Sequence, residues 1–450
     1  MQSSGKCAIQ THLRLNELAS GKKVRQKVYT ANRVRVKWCF LKMYIVHLKR
    51  KHSNKIMSNA TNRRALFVAS CASLLVTSLS FGIRAGILND LGVEFELSTS
   101  ELSRIAATAF WGFPVSMIIG GAIVDKVGMK NLMRLAYLGH FAGILLTIFA
   151  GGFWSLWTST LLIGLANGMV EAVCNPLVAS VYPEEKTTKL NQFHLWFPGG
   201  IVIGSLVAFA FGKIGLNWQW MMAVMLLPTV WYAIQMERSE FPVTERIANK
   251  VSDKEMYSAL LNPLFLIITV AMLGTATAEL FINQWVDVLL RSVSNNAILI
   301  LLITSGVMTL GRGMAAPVVS RFSTTGMLLF SAVFTTIGLF MMANLDGTLL
   351  FLSAVVFGIG VTYFWPTMLG FVATYIPKTG AVGLAVVGAA GMFAVSIYTQ
   401  MMGGYYDGLI ANLSEVDAGR AVIRTTLYIP IALIVIFAGI HMYMKQRKEA

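Results

Sequence analysis

Charge is what this sequence has least of. Asp, Glu, Lys and Arg make up 13% of its 450 residues, against roughly 25% in a soluble globular domain. Hydrophobic residues reach 56%, and mean hydropathy is +0.64. A soluble chain of this length could not hide so much apolar surface in one core. A bilayer supplies the missing environment, and only helices or closed barrels satisfy their backbone there. Cysteine is scarce too. Cys7, Cys39, Cys71 and Cys174 offer neither a disulfide framework nor a metal-ligand spacing. A glycine-rich nucleotide loop and a nucleophile–base constellation are both missing, which argues against ATP drive and against an enzyme. No cofactor or metal is therefore expected. A basic start followed by an apolar core and a small-residue cleavage site is also absent, so no signal peptide is read.

Acid is almost absent from the first 56 residues. They hold fourteen Lys/Arg and one acid, Glu17, a net of +13; the remainder carries only +3 of the total +16. A basic tail of this kind can meet nucleic acid or anionic lipid. Its scattered apolar residues lack a helical period, and the segment Met57-Ser-Asn-Ala-Thr-Asn-Arg-Arg64 has the character of a short start before a first span. Residues 1–64 are read as a disordered extension, or a start annotated too far upstream of Met57. No nucleic-acid partner is expected.

What the rest holds is apolar runs of roughly 18–25 residues, the length of membrane helices. The spans fall at approximately 65–88, 105–124, 133–151, 154–181, 191–212, 218–236, 263–286, 297–319, 326–343, 348–376, 381–403 and 425–444. The expected fold is all-α and polytopic, with twelve transmembrane helices in two pseudo-symmetric six-helix halves, 65–236 and 263–444. A linker, 237–262, joins them, and 445–450 form a tail. Lys and Arg cluster in the connections on one side, which places both termini in the cytoplasm. A multi-pass protein of the cell inner membrane, acting as a monomer, is expected. The fourth span holds Gly164-Leu-Ala-Asn-Gly168 and ends at Pro183; the tenth holds Gly358-Ile-Gly-Val-Thr362 and ends at Pro377. The two copies lie 194 residues apart, a spacing that duplication explains, and paired halves with a site between them are the usual architecture of secondary transporters.

Charges within spans cost about 2.5–3.5 kcal/mol each on insertion scales and usually mark pathways. Four remain once loop charges are set aside: Arg84, Glu171, Glu279 and Arg312. Glu171 is flanked at i±4 by Asn167 and Asn175, a polar stripe whose carboxyl can exchange protons. Glu279 has the same pattern with Thr275 and Asn283. Shifted by 194, it falls at Ala85 beside Arg84, so Arg84 and Glu279 are expected to face one cavity and to interact in at least one transport state. Arg312 is placed nearer the cytoplasmic end, in a packing or gating role. Sugars need planar apolar faces with hydrogen-bonding edges, which Gln192, His194 and Trp196, Gln284 and Trp285, and Tyr363 and Trp365 can supply. For each of these, helix packing or interfacial anchoring is the plainer role. His194 is also a candidate proton shuttle. His140, without a polar stripe, carries less weight.

The connection after the second span reads Gly121-Ala-Ile-Val-Asp125-Lys126-Val-Gly128-Met-Lys130. Gly121 permits close helix approach, Gly128 a tight turn, and Asp125 can pair with basic groups when the inside is closed. The segment fits the G-x-x-x-D-[RK]-x-G-x-[RK] signature of the major facilitator superfamily, which implies gating roles for these five residues. Glu171-Ala-Val-Cys-Asn175-Pro176 is similar to the E-x-x-x-N-P segment of the fucose–galactose–glucose proton symporters. Gly311-Arg312 followed by Ser320-Arg321-Phe322 also resembles that family, and Arg321 joins the gating candidates. The resemblance spans roughly residues 65–444 and implies a proton-coupling role for Glu171. The chain departs from it in the first span, where Phe81-Gly-Ile-Arg84-Ala85 stands near the position of the symporters' acid. Glu279 then becomes a second coupling candidate. The leading reading is proton-coupled symport of a sugar or similar polar solute. An organic-anion carrier using Arg84 or Arg312 is the alternative within transport, and a non-transporting receptor on a transporter scaffold is the alternative of another class.

Overall fold

Long apolar runs become long helices because the backbone has no other partner inside a bilayer. The computed structural model describes residues 62–88, 90–290 and 297–449, without the side chains of 99–100, 284–290, 297–298 and 447–449. The basic extension, 1–56, lies outside the described residues. Ala65–Ala450 cluster as one unit. Among the described residues ten helices are long and apolar enough to cross a membrane. They are Asn62–Leu88, Glu101–Val127, Met129–Ile148, Phe153–Val181, Lys186–Lys213, Pro263–Asn283, Ala315–Asn344, Thr348–Tyr375, Pro377–Ile410 and Glu415–Gln446. The sixth pass, in two pieces (Trp218–Ala223 and Leu226–Arg238), and the eighth, Ala297–Gly313, complete twelve. The chain is a multi-pass all-α membrane protein.

Helix ends differ from the sequence reading where polar side chains cap them. The second helix starts at Thr99 rather than 105, because Ser98 and Glu101 form a reciprocal capping box. The twelfth starts at Glu415 rather than 425, where the Asp417 N–H donates to Ser414 Oγ at 3.1 Å. Arg420 and Arg424, read as loop charges, therefore lie within a helix and meet Asp346 and Asn344. The eighth pass breaks at Met314 and resumes at Ala315, within the helix Ala315–Asn344, whose backbone is non-helical at Ser323. The turn between the eighth and ninth passes is thus at Ser323. Prolines 114, 176 and 430 lie inside spanning helices, tolerated where neighbouring groups satisfy the freed carbonyls.

The second pass packs along the fourth in the first half, and the ninth along the tenth and twelfth in the second. The halves meet where the eleventh pass lies against the second and the fifth against the eighth. Residues 239–262 hold two short helices, Glu245–Ala248 and Asp253–Ala259. The second of these carries a Ser252–Glu255 capping box, whose hydrogen bonds hold the Glu255 carboxyl below its usual range. The side of the bundle bearing this linker is called the linker face.

Candidate functional site

A small cavity lies between the halves. The fourth pass delivers Glu171 to it, the fifth His194 and Phe197, the second Phe113. The C-terminal half brings Glu279 and Leu280 from the seventh, Arg312 from the eighth, Trp365 from the tenth and Met392 from the eleventh. Three of the four span charges singled out from sequence therefore converge.

Their bonding divides into two linked groups. In the N-terminal half the Asn175 amide Nδ2 donates to Glu171 Oε2 at 2.6 Å. That orientation leaves Asn175 Oδ1 as acceptor, so His194 Nε2 donates to it across 2.9 Å. The other ring nitrogen, Nδ1, sits 3.7 Å from Glu171 Oε1, an ion pair when the imidazole is protonated. In the C-terminal half Arg312 Nη2 donates to Glu279 Oε1 at 2.8 Å and Nε to the Thr362 carbonyl at 2.7 Å. Nη1 crosses between halves to the His194 carbonyl at 3.1 Å. Glu279 Oε2 is buried without a hydrogen-bond partner among the described residues. The arrangement offers a carboxyl with an amide neighbour, an imidazole within reach of it, a neutralised ion pair with one free oxygen, and the faces of Trp365, Phe113 and Phe197.

Several expectations are corrected. The cation beside Glu279 is Arg312, not Arg84. Pseudo-symmetry gave Arg84 a matching depth but could not fix its direction. Arg84 stands four residues before the end of the first helix, partly buried and with no ion pair or hydrogen bond among the described residues. There its charge suits the negative end of the helix dipole. Arg312 is at cavity level rather than near the linker face, because helix resumes at Ala315 and carries the chain onward to Ser323. Asn167 is wholly buried inside the N-terminal half, its Oδ1 2.8 Å from His140 Nε2 and its Nδ2 donating to Ser80 Oγ at 3.1 Å. Each i+4 step drifts about 40° around a helix, so Asn167 and Asn175 flank Glu171 on opposite sides, and it is Asn175 that bonds the cavity-lining Glu171 and His194. His140, given little weight, anchors this network and also bonds Tyr232 Oη at 2.9 Å.

The remaining aromatic and amide candidates scatter. Gln192 accepts from Lys189 Nζ at 3.0 Å, and the Trp196 carbonyl accepts from Ser78. Tyr363 Oη donates to the Gly311 carbonyl at 2.9 Å, packed away from the cavity. Asn283 Nδ2 contacts Met308 Sδ at 3.8 Å. The side chains of Gln284 and Trp285 lie outside the described residues. Phe113, Phe197, Leu280 and Met392 were missed, since apolar wall residues look like any other apolar span residue.

The gating candidates gather at the linker face. A Cβ on Gly121 would fall 2.3 Å from Ala385 Cβ of the eleventh pass, so glycine permits the halves to touch. Gly128 has φ +87°, which L side chains rarely adopt. Asp125, its side chain 6% exposed, accepts from Arg246 Nε and from Thr244 Oγ1, both at 2.5 Å. Lys130 Nζ donates to the carbonyls of Glu237 and Ser239. Lys126 is exposed. Arg321 lies apart, on the C-terminal half. Lys186 was missed; it pairs with Glu245 at 2.7 Å and reaches across to the Ala373 carbonyl of the tenth pass at 3.0 Å. Its partners, like Arg246, sit in or beyond the linker, where sequence spacing gives no hint of contact.

Known proteins share parts of this frame. The chain matches the facilitated glucose transporter member 10 of Xenopus laevis at 23% identity over 177 residues, 38% of this chain and 32% of that one. The galactose-proton symporter of Escherichia coli K12 is 26% identical over 183 residues, 40% of this chain and 38% of the relative. The chain thus spans about a third of the length of these curated relatives. A crystal structure of the transporter FucP in the outward conformation superposes with a TM-score of 0.67 at 15% identity, covering 83% of this chain and 98% of the other. The model of the Major Facilitator Superfamily matches residues 66–440, most of the chain, and the chain belongs to that superfamily.

Proposed function

We propose that the protein is a secondary transporter that carries a sugar or similar small polar solute together with protons by alternating access. The observation that carries this reading is the chain of buried groups Glu171–Asn175–His194 in one half and Arg312–Glu279 in the other, meeting at one cavity between them. Glu171 has an amide but, among the described residues, no cation in hydrogen-bonding contact, which suits it to take up and release a proton, with His194 as its near partner. The free Glu279 Oε2 can accept from a sugar hydroxyl, while the Trp365 ring offers the flat apolar face a pyranose needs. Similarity to the galactose-proton symporter and to FucP agrees with this substrate class. The closed linker face and the cavity above it correspond to one end of the alternating cycle. In this reading the protein works as a monomer in the cell inner membrane, with both termini in the cytoplasm and the linker face inside. Anion carriage through Arg312 loses its motive because Glu279 already matches that charge.

The test is uptake and counterflow in proteoliposomes, with a panel of labelled sugars and organic acids, with and without a pH gradient. Glu171→Gln, a mimic of the protonated acid, should abolish accumulation driven by the pH gradient and keep exchange of substrate across the membrane. Normal accumulation in that variant would remove Glu171 as the coupling group. Counterflow by acids and not by sugars would overturn the substrate class, and no counterflow at all would favour a receptor.

A further inference from the structure

The two halves treat the equivalent connections at the linker face differently. In the N-terminal half the turn at Gly128 has its charges matched within the protein except for Lys126, the counterpart of Arg321, which is exposed. Asp125 meets Arg246, and Lys130 and Arg134 meet Glu237 at the end of the sixth pass, at 3.7 and 2.7 Å. The corresponding turn in the C-terminal half lies 195 residues on. Ser323 stands where Gly128 stands and takes a similar backbone conformation, φ 57° and ψ 167° against 87° and 142°. A side-chain-bearing residue is strained at that φ. Asp125 is replaced by Ser320. Arg321 makes no ion pair or hydrogen bond among the described residues. Where the sixth pass ends on Glu237, the twelfth brings His441 and Lys445.

These groups line an open cleft between the connection, the end of the tenth pass and the end of the twelfth. Its polar lining is cationic or hydroxylic: Arg321, Lys445, His441, Ser320, Thr325 and Tyr375 among others, with no acidic side chain among the described residues. Lys445, like Arg321, has no ion pair or hydrogen bond among the described residues. Thr325 Oγ1 and His441 Nδ1 lie 2.9 Å apart, fixing the ring at the cleft wall. The ninth helix restarts here, with Ser323 Oγ accepting from the Gly326 N–H, so its positive end adds to the same field. The cleft also has an apolar flank. Phe322, 47% exposed, begins a row of rings with Phe330 and Phe334, at 5.6 and 4.4 Å, climbing the half-exposed side of the ninth pass.

We propose that this cleft binds the phosphate of an anionic glycerophospholipid headgroup, with an acyl chain laid along Phe322, Phe330 and Phe334. A phosphodiester oxyanion accepts from a guanidinium fork and an ammonium together, and basic pockets between spanning helices suit such headgroups. Inorganic phosphate shares the oxyanion chemistry but has nothing to place against the rings.

The test titrates the purified full chain in detergent with short-chain phosphatidylglycerol, phosphatidylcholine and inorganic phosphate, read by native mass spectrometry and thermal shift. The wild type should retain phosphatidylglycerol in preference to phosphatidylcholine. Arg321→Gln with Lys445→Gln should weaken that binding by roughly fivefold for each cation removed. Arg321→Lys with Lys445→Arg should keep it, which separates loss of charge from loss of fold. Should the double glutamine variant fail to fold, Arg321→Gln and Lys445→Gln singly carry the test. Unchanged phosphatidylglycerol binding in the glutamine variants overturns the proposal, as does a wild type that binds both lipids equally. Inorganic phosphate displacing phosphatidylglycerol at equal concentration would assign the cleft to free phosphate and overturn the lipid assignment.

Discussion

Arg312 ties four passes together from a single side chain: its own, the tenth through Thr362, the fifth through His194 and the seventh through Glu279. Removing one member of a buried pair strands the other. Arg312→Gln should therefore cost roughly 3–5 kcal/mol of stability, while Arg312→Gln with Glu279→Gln should recover most of it, measured as thermal stability in detergent. A double variant no more stable than the single one would show that the carbonyl contacts, and not the ion pair, carry the effect. Asn167 makes the opposite kind of claim. Its bonds to His140 and Ser80 lie inside one half, so Asn167→Ala should cost about 1–3 kcal/mol for the polar groups left unpaired with substrate affinity unchanged. A raised KM at full stability would place Asn167 in the binding site. These two residues mark what was legible in the sequence. Glu171, Glu279 and Arg312 stand out because charges inside apolar helices are few and costly. Which of them touch is set by helix rotation, and the small drift of an i+4 stripe was enough to send Asn167 into the wrong environment.

Spanning helices were legible as elements because a bilayer demands about twenty apolar residues in a row. Their ends were not, because capping boxes such as Ser98–Glu101 extend helix beyond the apolar run into polar sequence. The eighth and ninth passes show the same limit. Apolar content continues through Gly313 and Ala315, so the break near Met314 and the turn at Ser323 leave no mark on hydropathy. The Gly121 reading was sharper, since a glycine in a spanning helix has few uses besides close approach. Its second and eleventh passes belong to opposite halves and touch at the linker face. Gly121→Val should wedge them apart there and favour the conformation open on that side. A cysteine at Ser180, which lines the cleft beside Arg246 and Gly380, should then label faster with a maleimide in the Gly121→Val background. Equal labelling rates would mean that the two passes separate elsewhere.

Across the whole molecule, the two halves are joined at the linker face by contacts that a transport cycle has to break. Lys186 reaches Glu245 and Ala373, Asp125 holds Arg246, and Asn191 Nδ2 donates to Thr367 Oγ1 at 3.2 Å. Two of these run through the linker between the halves, so the segment that joins them also clasps them. Thr187, at the start of the fifth pass, has its hydroxyl 3.5 Å from that of Thr324 at the start of the ninth. Those two positions belong to opposite halves and are close enough for a disulfide after replacement by cysteine. Thr187→Cys with Thr324→Cys should crosslink under mild oxidation in the conformation described here and stop substrate uptake, and a thiol reductant should restore it. Each single variant should stay active under the same oxidation. Uptake that continues in quantitatively crosslinked protein would mean that the halves do not part at this face, and the alternating-access reading of the cavity would fall with it.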